Sequence, residues 1–130
     1  MLPRTLAGFA SMATMTAALA QTAVPPAALV DFPADAKPLT AEDLRQRLAG
    51  KVFHVPLADG SSMRLQYQAA GYYYVDTSRG ARVNGTWRAD GTRLCTDRVN
   101  RGPACNEVRL ADDALHVKLD SGEVVKFEPR

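Results

Sequence analysis

From Lys51 to the C-terminus apolar and polar side chains alternate with a period of two, the repeat of strands that bury one face only. Phe53, Val55 and Leu57, then Met63, Leu65 and Tyr67, then Val83, Gly85 and Trp87 fall on one side. Val108 and Leu110, then Leu115, Val117 and Leu119, then Val125 and Phe127 continue that apolar set. His54, Arg64, Gln66, Gln68, Arg82, Asn84, Thr86, Arg88, Arg93, Cys95, Asp97, Cys105, Glu107, Arg109, His116 and Lys118 form the opposite, wet set. Turn signals at Asp59-Gly60, Ala70-Gly71, Arg79-Gly80, Asp90-Gly91, Arg101-Gly102, Asp112-Asp113 and Ser121-Gly122 recur every 9 or 11 residues, the rhythm of consecutive hairpins. They divide the segment into eight strands, near 51–58, 61–68, 72–77, 82–89, 92–97, 105–111, 114–119 and 123–128. A meander with one oily face must curl closed or be covered. The prediction is therefore a mainly β protein, an eight-stranded antiparallel meander forming a small closed or nearly closed barrel, preceded by one short α-helix.

The period changes upstream. Leu39, Leu44 and Leu48 recur at helical spacing, Thr40 is placed to cap, Glu42 and Asp43 fill the first turn, and Gly50 follows as a stop. This predicts a helix over residues 40–49, lying across a barrel end or sheet edge. Residues 21–38 carry four prolines and no period and read as a Pro/Ala-rich linker, with Leu29, Val30 and Phe32 available to pack on the domain edge. Residues 1–20 carry Arg4, then an uncharged run, then Ala18-Leu19-Ala20, the three regions of a signal peptide cleaved before Gln21. No cysteine follows directly to take a lipid, so no membrane anchor is expected. The domain proper is assigned to residues 39–130, and the leader predicts a periplasmic or secreted protein.

Composition adds two things. The two cysteines, Cys95 and Cys105, admit one pairing, and in an exported chain they read as a disulfide closing the loop Thr96–Ala104. The formal charge of +2 falls to +1 once Arg4 is removed with the leader, too little for general attraction to nucleic acid or anionic membrane. Seven arginines nonetheless crowd residues 79–109 against three acids. They read either as a face that receives an anionic ligand or an exported partner protein, or as the solvated side of a sheet. Tyr72-Tyr73-Tyr74 alternates across its strand, so at least one tyrosine faces water, and tyrosine beside arginine is the composition of binding hot spots.

Catalytic patterns are missing. His54 and His116 are the only histidines, at no zinc-ligand spacing, no G-x-S-x-G is present, and the acid pairs lie in turns or on the wet face, so neither a metal nor another cofactor is implied. The order helix, Gly85-Thr86-Trp87, Cys95 and Cys105 resembles that of short secreted bacterial proteins of unknown function in which a G-T-W strand precedes two cysteines. In architecture the chain is similar to periplasmic inhibitors of c-type lysozyme, exported disulfide-bearing eight-strand barrels, without their signature loop. It departs from lipocalins, whose G-x-W lies on the first strand rather than the fourth. The arginine clustering and the missing catalytic patterns point to a non-enzymatic protein that binds through its outside, with Tyr73, Arg82, Arg88, Arg98, Arg101 and the Cys95–Cys105 loop as contact region. The alternative is a carrier of a small apolar ligand inside the barrel. An enzyme ranks behind both.

Overall fold

The computed structural model describes residues 31–130, so the predicted leader and residues 21–30 of the linker lie outside the described residues. The first regular element is α1, Ala41–Leu48, whose cap Thr40 accepts a hydrogen bond from the Asp43 N–H at 3.2 Å. Acidic Glu42 and Asp43 in the first turn and basic Arg45 and Arg47 in the last complement the helix dipole. Gly50 ends the segment at φ +74°, a left-handed conformation open to glycine at little cost.

Eight strands follow in the predicted order: β2 Lys51–Pro56, β3 Ser62–Tyr67, β4 Tyr72–Thr77, β5 Arg82–Asp90, β6 Arg93–Arg98, β7 Gly102–Ala111, β8 Ala114–Lys118 and β9 Val124–Pro129. Each pairs antiparallel with the next from β2 to β9, and β9 returns to β2, so the sheet closes into an eight-stranded barrel. The seam is short, with Phe53 opposite Pro129 and His54 opposite Glu128, extended by the Arg130 N–H to the Val52 carbonyl at 3.0 Å.

Two stretches differ from expectation. The linker contributes a two-residue strand, β1, Lys37–Pro38, which pairs with Leu110 and Arg109 of β7. It occupies the edge that β7 leaves free once β6 has ended. Beside it Phe32 lies under the Arg109 guanidinium, 4.3 Å from its ring centroid, the edge packing anticipated for the linker's apolar residues. The supposed loop Thr96–Ala104 is mostly strand: β6 and β7 pair through Arg98 and Gly102, leaving Val99, Asn100 and Arg101 in the turn. Pro103 does not break the strand because the start of β7 is bonded on one side only, to β6, and a proline is tolerated on such an edge.

Cys95 and Cys105 stand directly opposite one another in that ladder and form a disulfide. Among the described residues no helix is long and apolar enough to cross a membrane.

The helix lies at one end of the barrel. It packs on β2 and β5, its Leu44 and Leu48 are buried in the core, and Arg47 reaches Asp113 in the β7–β8 turn at 3.2 Å. The opposite end is ringed by the turns 57–61, 78–81, 99–101 and 119–123.

Candidate functional site

The two halves of the barrel are filled differently. Toward the helix, Tyr67 is the hub of an aromatic cluster, its centroid 5.6 Å from Trp87, 6.0 Å from Tyr73, 6.2 Å from Phe53 and 6.2 Å from Phe127. Trp87 turns its indole N–H to the Gln68 carbonyl at 2.8 Å, so the large ring is buried with its donor satisfied. Burial drives the Tyr67 hydroxyl far above the ordinary phenol range, and neighbouring Tyr73 adds to the rise. Above this aromatic floor a cavity of about 350 Å³ opens at the end away from the helix. Its walls include Leu65, Val75, Val83, Leu94, Val117 and Leu119, and its polar groups are Tyr73, Thr77, Thr96, Arg98, Arg101, Asn106, Asp120 and Ser121.

Arg98 is the central polar group of this cavity. Alternation along β6 turns Leu94, Thr96 and Arg98 inward, and both cross-strand neighbours of Arg98 are glycines, Gly85 on β5 and Gly102 on β7. The side chain is 27% exposed, and Nη2 is 3.9 Å from Asp120 Oδ2, beyond hydrogen-bond length. Its Nε is buried with no hydrogen-bond partner. Leaving such a group unpaired costs about 1–3 kcal/mol, and more where it is charged. Asp120 is held from the other side by Asn106, whose amide nitrogen donates to Asp120 Oδ1 at 2.9 Å and to the Lys118 carbonyl at 3.0 Å. Burial also raises the Tyr73 hydroxyl, a rise opposed by its hydrogen bond with Thr96 and by the positive charges of Arg98 and Arg101.

The five residues expected to share an outer face are thus divided. Tyr73, Arg98 and Arg101 converge on the cavity, whereas Arg82 and Arg88 stand outside on β5. Tyr73 is 4% exposed, correcting its expected outward placement. The reason is register: Tyr73 shares its face with Val75 and pairs with Tyr67 and Gly85, both inward positions. It is Tyr72 and Tyr74, at 53% and 40%, that meet water. The arginine-rich exterior is also divided into ion pairs, Arg82 with Asp76 at 3.3 Å, Arg88 with Asp90 at 3.9 Å and Arg109 with Glu107 at 2.7 Å. Alternation applied one residue further along β6 would have found Arg98 inside; the Arg101-Gly102 turn signal hid it by suggesting that the strand had ended.

A second depression, about 560 Å³, lies on the outer face between Gln66, Gln68, Tyr74, Asp76, Arg82 and Asn84. It is larger than the interior cavity, but a groove on one sheet face leaves a bound molecule largely in water, and enclosure rather than volume is what removes surface from solvent. The histidines stand apart from both: His54 Nδ1 is 3.4 Å from Arg130, and His116 Nδ1 is 3.1 Å from the Ala114 carbonyl.

Fold and cavity together define a small antiparallel β-barrel, stoppered by a helix at one end, hollow at the other and stapled by a disulfide. No protein-family model, curated protein or solved structure matches this chain. The likeness to periplasmic lysozyme inhibitors therefore rests on architecture alone, which is a weak guide to function.

Proposed function

We propose that the protein is an exported, non-enzymatic binder that takes a small, largely apolar molecule into the open end of its barrel. The observation that carries this reading is the cavity of about 350 Å³, apolar in its walls and polar at a few convergent points, the composition usual for small-molecule sites in barrel mouths. The helix supports it, because its Leu44 and Leu48 are buried in the core at the end opposite the cavity. Export is supported by the leader pattern of residues 1–20 and by the Cys95–Cys105 disulfide, a bond that persists in oxidising compartments.

Fluorescence of an environment-sensitive apolar dye tests it. The dye brightens with the parent protein and with Arg88→Ala, which lies outside the barrel, and stays dark with Val83→Phe, whose ring fills the cavity. Val83→Phe retains the fold, with a stability gain of about 0.5–2 kcal/mol where the ring packs without strain. Absence of dye uptake by the parent, or undiminished uptake by a folded Val83→Phe, overturns the reading.

A second reading is favoured by the exposure of Tyr72 and Tyr74 beside the polar groove on β3 to β5: recognition of another exported protein by that outer face. It predicts a partner recovered from a periplasmic extract by the parent and lost on Tyr72→Ser with Tyr74→Ser.

A further inference from the structure

The cavity contains more than an apolar hole, and its polar groups specify a head group. Arg98 presents a guanidinium whose Nε has no partner and whose Nη2 is only loosely associated with Asp120. Native proteins rarely leave such groups unsatisfied, and an unpartnered one calls for an explanation. Gly85 and Gly102, the residues paired with Arg98 on either side, place no side chain across it. Asn106 holds Asp120 in place, so this carboxylate is anchored away from the Arg98 Nε instead of closing over it. Arg101 lines the same cavity and takes no part in the ion pairs formed among the described residues. Two arginines against one aspartate leave the cavity with one net positive charge, which a single negative charge balances.

Resting on the barrel-mouth reading, we infer that the ligand is a monoanionic amphiphile, a carboxylate on a short apolar tail, whose head meets Arg98 and Arg101 while the tail lies against Leu65, Val75, Val117 and Phe127. A planar carboxylate is the acceptor that matches a guanidinium fork, and the low dielectric of the cavity strengthens that contact. Size follows from the volume. At roughly 30 Å³ for each atom of water-like size, about 350 Å³ has room for about a dozen non-hydrogen atoms. A carboxylate with a tail of about eight to ten carbons meets that limit.

Calorimetric titration with decanoate, decanol and decyltrimethylammonium at equal ionic strength tests the head group. Decanoate binds at least about tenfold more tightly than decanol, and the cation binds more weakly than either, because the positive charges repel it. Arg98→Met abolishes the preference for decanoate while preserving decanol binding. It also raises the melting temperature of the ligand-free protein, since the unpaired Nε is gone. Arg98→Lys keeps the charge but not the fork, and recovers only part of the preference. Arg101→Ala, at an exposed turn, weakens decanoate alone and provides a variant whose folding is not at issue. If decanol and decanoate bind equally, or if Arg98→Met and Arg101→Ala both keep the preference, the head-group inference fails while the cavity reading stands. If none of the three binds, the cavity reading falls with it.

Discussion

At the scale of single residues, Gly85 and Tyr67 show how closely the inside of the barrel is specified. A Cβ on Gly85 would collide with the Asp97 carbonyl oxygen and come within 3.0 Å of the Arg98 Cα. These are backbone atoms of the neighbouring strand and cannot rotate away. Gly85→Ala therefore destabilises the protein by about 1–3 kcal/mol or more, read from the shift in a urea unfolding midpoint. An unchanged midpoint would mean that β5 and β6 separate at no cost. Tyr67 sets a pH limit. Its neutral phenol is favoured in the fold, whereas the unfolded phenol ionises at about 10, so above that pH the native state retains a proton that the unfolded state has lost. Tyr67 leaves stability flat below the unfolded value and lowers it above by about 1.4 kcal/mol per pH unit; Tyr67→Phe removes that share of the slope, while the share of the likewise raised Tyr73 remains, and thermal melts across alkaline pH measure both.

At the scale of elements, the β6–β7 hairpin bears the disulfide, whose pairing is legible in the sequence because only two cysteines are present. Cys95 and Cys105 lie at equal distances from the turn, and both belong to the outward alternation of their strands. The ring they close is shorter than the 15 residues for which chain entropy assigns about 3 kcal/mol, so Cys95→Ser with Cys105→Ser costs somewhat less than that through the unfolded state. Cys95 is buried, however, and a serine hydroxyl there adds desolvation to the loss. A combined loss of about 2–4 kcal/mol in stability is expected, read from the shift in the denaturation midpoint. The same hairpin shows where local signals mislead. Arg101-Gly102 does mark a turn, but the expected nine-residue loop from Thr96 to Ala104 shrank to the three residues from Val99 to Arg101, because paired neighbours extend both strands to the turn itself.

For the whole molecule, closure depends on its shortest interface. Only Phe53 with Pro129, His54 with Glu128 and the Arg130 N–H to Val52 join β2 to β9, yet Phe53 and Phe127 pack 5.3 Å apart behind that seam. Deleting residues 128–130 removes those pairs while leaving both rings. Hydrogen exchange should then accelerate in β2 and β9 and stay slow in β5 and β6, whose pairing spans Gly85 to Asp90. Unchanged protection of β2 would place the closure in the aromatic core rather than in the backbone seam.

Alternation, turn chemistry and capping residues are local properties, and from them the sequence by itself determined the helix, the eight strands, the core face and the disulfide. Each needs only the neighbours a residue has along its own strand or turn. Tertiary structure alone decided that β9 returns to β2, that Lys37 and Pro38 join β7, and that the barrel is stoppered at one end and hollow at the other. Those depend on shear, on the volume left between facing side chains and on which edges remain unpaired, and none is a property of any single segment. Arg98 lies between the two: its direction is fixed by alternation, but the cavity that gives the direction meaning exists only once Gly85 and Gly102 have come to lie on either side of it.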